Sequence, residues 1–203
     1  MSPGRRRLVA VGLVVLAVST VAIAYVRGTR VAATPFDPTQ PDQGVRCQVV
    51  AWPGGAEGET AVRCAAVFER SVDSLWGPLT DYAKLPQAFD SVFYRFDIET
   101  LEGVAPGPVT LKGAVVFWLM RFPLDLVLEH TAEGGVRTVR WDAADERFAT
   151  RGGWRLEALA PDRTRVEYML DARVAYLPDF VVKVVLRDNL PRVLRALGGV
   201  AAP

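Results

Sequence analysis

The chain has 203 residues, half of them apolar, with 24 lysines and arginines against 23 aspartates and glutamates and a net charge of +1. That length makes one domain with room for an appendage, and the apolar content is ample for a core. So small a net charge supplies no field for a polyanion, which argues against nucleic acid as a partner.

Arg5-Arg6-Arg7 opens the chain and is followed by an uncharged apolar run, Leu8 to Val26. At roughly 1.5 Å per helical residue this run just crosses a hydrocarbon core of about 30 Å. Cleavable signal peptides have a shorter apolar stretch, about 7–15 residues, so a retained transmembrane helix is expected rather than a cleaved signal. Ala22-Ile23-Ala24 nevertheless resembles a small-x-small cleavage site. The three arginines before the run, against Arg27 and Arg30 after it, favour a cytoplasmic N-terminus and an extracytoplasmic domain. Residues 1–28 are read as the membrane segment and 29–44, rich in Pro, Thr, Asp and Gln, as a linker. Residues 45–203 form the folded domain.

Val45 to Trp52 and Thr60 to Arg70 are candidate strands joined by a glycine-rich turn, Pro53 to Gly58. They carry the two cysteines, Cys47 and Cys64. These are either a disulfide, if the compartment oxidises, or two buried thiols. Two cysteines and one distant histidine do not make a metal-ligand set, and no metal or cofactor is expected. Ser71 or Asp73 can cap a short helix carrying Leu75, Trp76, Leu79 and Tyr82, and a second turn or short helix spans Ala83 to Phe89. Strand-like alternation then recurs over Ser91–Leu101, Val109–Met120, Leu124–His130, Val136–Asp142, Thr150–Leu159 and Arg165–Val174. Glu133-Gly134-Gly135 marks a hairpin. Phe117 to Pro123 is apolar on both strand faces. It either packs under the Val45–Trp52 segment or is exposed, where it would suit a lipid surface.

Leu177 to Leu197 reads as a terminal helix with Pro178 and Asp179 in its first turn. Its apolar stripe is Phe180, Val181, Val184, Val185, Leu190, Val193, Leu194 and Leu197, with Lys183, Arg187, Arg192 and Arg195 mostly on the other side. Pro191 is expected to bend or break it. The order is thus strands, short helices, a meander of about six strands and a long helix. This is an α+β chain, with an antiparallel sheet solvated on one face and covered on the other by the terminal helix.

Val67-Phe68-Glu69-Arg70 followed by Leu75-Trp76-Gly77-Pro78-Leu79-Thr80-Asp81-Tyr82 and Leu85-Pro86 resembles the opening of the START-like (SRPBCC) superfamily. That group includes the polyketide cyclase/dehydrase and coenzyme Q-binding families. Gly153-Trp154-Arg155-Leu156-Glu157 and Thr164-Arg165-Val166-Glu167-Tyr168 resemble its last two strands. The resemblance covers about Thr60 to Leu197. It implies the helix-grip fold, a curved antiparallel sheet wrapped around a long C-terminal helix. It also implies an apolar cavity for a lipid, quinone or polyketide-like molecule. Phe89, Tyr94, Phe96, Phe117, Leu126, His130, Trp141, Trp154, Tyr168, Phe180 and Val184 are then the candidate ligand-binding residues. His130, the one histidine, is the weak candidate for acid–base chemistry, against a histidine at a strand end that merely bonds backbone or solvent. No Ser/His/Asp set or pair of inward carboxylates can be assembled, so a binding or transfer domain is favoured. The alternatives are a cyclase/dehydratase-type enzyme using His130 or a cavity tyrosine, and an interaction domain whose core is filled.

Overall fold

The computed structural model describes residues 19–23, 25, 26, 30, 44–84, 86, 87, 94–117 and 120–197, with the side chains of Tyr94, Phe117 and Met120 excepted. Eight antiparallel strands form one sheet in the order β1-β2-β8-β7-β6-β5-β4-β3. The strands are β1 (Arg46–Ala51), β2 (Thr60–Phe68), β3 (Tyr94–Glu102), β4 (Val109–Phe117), β5 (Met120–Glu133), β6 (Val136–Ala144), β7 (Phe148–Ala160) and β8 (Arg163–Val174). Helix α1 (Val72–Thr80) follows β2, and helix α2 (Asp179–Leu197) closes the chain against β1, β2 and β8.

Period-two alternation determines which side of each strand is covered. In β5, Phe122, Leu124, Leu126 and Leu128 are buried, while Arg121, Asp125, Val127 and Glu129 are exposed. In β8 the buried set is Val166, Tyr168, Leu170, Ala172 and Val174. The β5–β6 hairpin turns on Gly134 and Gly135, both at positive φ (56° and 79°), where a side chain would strain the backbone. Strand β5 changes partner along its length: Met120–Leu128 pairs with β4, whereas Glu129–Glu133 pairs with β6. The sheet is therefore sheared at β5, and Pro123 falls in the half that has only β4 beside it.

Several expectations are corrected. Pro191 does not end the terminal helix, which runs through it to Leu197. The N-terminal half of that helix is also rotated relative to the expected stripe. Val182, Lys183 and Leu186 are buried there, not Phe180, Val181 and Val184. Lys183, expected on the polar side, is 1% exposed, with Nζ 2.5 Å from Asp171 Oδ1 and 3.3 Å from Asp179 Oδ1. The Asp171 side chain is itself only 5% exposed and also accepts from Arg151 Nε at 3.2 Å. A buried charge is tolerable only when paired and hydrogen-bonded, and this pair supplies both partners.

Strand β1 lies at the opposite edge of the sheet from β3; of the apolar Phe117–Pro123 stretch, Trp118, Leu119 and the side chains of Phe117 and Met120 lie outside the described residues. Cys47 and Cys64 face each other across β1 and β2 and are bonded as a disulfide.

Residues 19–23, 25 and 26 are helical. The rest of the Leu8–Val26 run lies outside the described residues. Among the described residues, no helix is long and apolar enough to cross a membrane. The Tyr25 ring packs edge-on to Phe180 at 5.3 Å. Of the expected turn or short helix from Ala83 to Phe89, Ala83 and Lys84 form a turn and residues 86 and 87 are helical, while residues 85, 88 and 89 lie outside the described residues.

Candidate functional site: an apolar cavity under the terminal helix

The concave face of the sheet and helix α2 enclose a cavity of about 100 Å³. Sheet residues from β3 to β8 line most of it, and Leu177, Val182, Val185 and Leu186 close it from the helix side. The walls are made rigid by aromatic packing. Trp154 and Tyr168 stack at 3.9 Å with rings 6° apart, Trp141 leans on Tyr168 at 6.0 Å, and Phe122 stacks on Phe148 at 5.9 Å. Trp154 and Tyr168 are direct cross-strand partners on β7 and β8, so the sheet register itself places the stack.

Among the described lining residues there is no lysine, arginine, aspartate or glutamate. Polar atoms are few. Trp141 Nε1 donates to Thr150 Oγ1 at 3.4 Å across β6 and β7. Tyr82, just beyond α1, is buried, and its Oη lies 2.5 Å from His130 Nε2. Burial raises the Tyr82 hydroxyl well above its ordinary pKa, so it stays protonated as a hydrogen-bonding group. The half-buried His130 is pushed below the usual imidazole range by desolvation, partly offset by the Gly107 backbone, which favours the neutral ring near pH 7. Its Nδ1 is buried, and the Gly107 backbone approaches without closing a hydrogen bond of ordinary geometry. Trp76 meets the imidazole edge-on at 6.1 Å.

Of the residues expected from sequence, Phe96, Leu126, Trp141, Trp154 and Tyr168 line the cavity. His130 continues the inward face of β5, as alternation requires, but stands behind Tyr82 and not in the wall. Phe180 and Val184 are not in the lining, because the helix is rotated. Phe89, and the side chains of Tyr94 and Phe117, lie outside the described residues. Tyr82, Thr150, Val182 and Leu186 line the cavity without having been expected there. Thr150 shares the period-two face of Trp154, so alternation could have placed it. Tyr82 was read as part of the apolar spacing of the short helix with Leu75, Trp76 and Leu79, but the helix ends at Thr80 with its cap at Asp81, and Tyr82 lies just beyond it.

This architecture is a helix-grip fold, the fold of the START-like structures it resembles. No family model and no curated protein matches the sequence. Solved structures do match. One is a STAR-related lipid transfer protein from Xanthomonas axonopodis, at 15% identity, covering 85% of this chain and 97% of that one with a TM-score of 0.60. Human StAR-related lipid transfer protein 5 aligns at 11% identity over 93% of this chain and 94% of its own, with a TM-score of 0.59. The Zhui aromatase/cyclase from Streptomyces sp. R1128 aligns at 17% identity over 68% of this chain and 91% of its own, with a TM-score of 0.53. At such identities the likeness is one of fold.

Proposed function

We propose that this chain is a membrane-tethered START-like domain that binds or transfers a hydrophobic small molecule in the cavity between sheet and α2. The observation that carries this reading is the cavity wall, aromatic and aliphatic almost throughout and free of charged side chains among the described residues. The printed descriptions of the similar structures, two lipid transfer proteins and an aromatase/cyclase, point the same way. The Leu8–Val26 run would hold the domain at a membrane, with the 29–44 linker as spacer. The Cys47–Cys64 disulfide supports an oxidising, extracytoplasmic side, in accord with the arginine bias.

The test is to purify the full chain from membranes, extract it with organic solvent and identify by mass spectrometry what co-purifies. One hydrophobic compound near stoichiometric amount is the expected result. An empty extract, from protein that also takes up no quinone, isoprenoid or acyl lipid offered in excess, overturns the proposal. Protease added to intact cells and then to lysed ones checks the side of the membrane, and digestion of the domain only after lysis overturns the extracytoplasmic assignment.

A further inference from the structure

Few polar groups line the cavity, and they narrow the ligand. Among the described lining residues, five carry a polar side-chain atom: Tyr82, Trp141, Thr150, Trp154 and Tyr168. Trp141 and Thr150 satisfy each other at 3.4 Å, and the Tyr168 ring is held in the Trp154 stack. The Tyr82 hydroxyl meets a side chain outside the described wall, His130 Nε2 at 2.5 Å. The imidazole can take the phenol proton or give one of its own, depending on which nitrogen is protonated. Tyr82 therefore can turn either a lone pair or its O–H toward a bound molecule. The pair joins a buried tyrosine of the wall to a half-buried imidazole, and a hydroxyl with two lone pairs and one proton keeps capacity for a further hydrogen bond after that contact.

We infer that Tyr82, backed by His130, is the anchor for a neutral, mainly hydrocarbon ligand carrying a hydroxyl or carbonyl oxygen, and that ligands with an ionised head are excluded from the cavity. This rests on the binding role proposed above and specifies its ligand. The first half follows from the coupled hydroxyl. The second follows from the wall: among the described lining residues a carboxylate or phosphate would find no cation, and an unpaired buried charge is far costlier than an unpaired hydroxyl.

Three naphthalenes separate the possibilities. The full chain in lipid nanodiscs is dialysed to equilibrium against 2-naphthol, 2-methylnaphthalene and 2-naphthoate, with empty nanodiscs subtracted. Wild-type protein is expected to take up the first two and not the third. Tyr82→Phe is expected to weaken 2-naphthol by about three- to tenfold, the effect of one net hydrogen bond, and to leave 2-methylnaphthalene within about twofold. Unchanged 2-naphthol affinity in Tyr82→Phe, with the hydrocarbon still bound, overturns the anchor while leaving the cavity reading intact. Uptake of 2-naphthoate to the level of 2-naphthol overturns the exclusion of charge. If wild type takes up none of the three, the binding role itself fails and this inference fails with it. Should Tyr82→Phe lose the hydrocarbon as well, the infrared carbonyl stretch of 2-acetonaphthone on wild-type protein decides. A band lowered from its position in hexane supports the anchor, and an unshifted band overturns it.

Discussion

The buried Lys183–Asp171 pair should be the strongest single polar tie between helix α2 and the sheet, and its removal is the most informative perturbation of the fold. Lys183 is 1% exposed and Asp171 5%, with a 2.5 Å contact between Nζ and Oδ1. Removing one member of such a pair typically costs about 3–5 kcal/mol, because the other charge is left desolvated. Here Asp171 keeps Arg151 Nε at 3.2 Å and Arg173 at 3.7 Å, so the lower end, about 3 kcal/mol, is expected for Lys183→Met. Methionine preserves the apolar stem, which limits the packing loss. The assay is urea unfolding of the full chain in detergent, followed by tryptophan fluorescence, for Lys183→Met, Asp171→Asn and the double variant. A coupling energy of about 2 kcal/mol in that cycle is the expected mark of a direct pair. A loss below about 1 kcal/mol for Lys183→Met, the value of an exposed ion pair, would refute the claim that the helix is held by a desolvated charge.

Three further outcomes are expected. Replacing both Cys47 and Cys64 by alanine opens a crosslink across 17 residues and should cost roughly 3 kcal/mol, read as a lowered melting temperature that reductant reproduces in the wild type. Gly152→Ala would set a Cβ 2.5 Å from the Met169 carbonyl oxygen and 2.9 Å from Trp141 Cζ2, so Trp141 must move. A destabilisation of about 1–3 kcal/mol and weaker ligand uptake should follow, and unchanged values for both would contradict the packing described. His130 has a folded-state pKa below its ordinary 6.5, so the stability it contributes is present above that value and is lost as pH falls through the folded pKa. The stability gap between wild type and His130→Gln should therefore shift against the wild type between pH 8 and pH 5, and parallel curves would remove the premise of a desolvated ring.

How much of this was legible beforehand differs element by element. The strands were, because each alternates apolar and polar residues and one face must be covered; Phe122, Leu124, Leu126 and Leu128 in β5 fall where period two puts them. The phase of helix α2 was not. From Phe180 to Leu186 every residue except Lys183 is apolar, so periodicity offers no unique stripe. The rotation was decided by Asp171 on β8, which draws Lys183 inward and turns Phe180 and Val184 away from the cavity. Five of the expected cavity residues therefore came from strands, and the two expected from the helix were displaced.

By itself the amino-acid sequence determined the order of elements, the inward face of alternating strands such as β5, the Gly134-Gly135 hairpin and an apolar interior large enough to need a covering helix. These are local properties, set by side-chain period and backbone freedom within a few residues. Only the tertiary structure decided that Cys47 meets Cys64, that Lys183 is buried, and that Tyr82 meets His130 across a separation of 48 residues. Such meetings depend on register, sheet shear and helix rotation acting together. They appear only once the strands have paired and α2 has settled on them, and they set the chemistry the cavity presents.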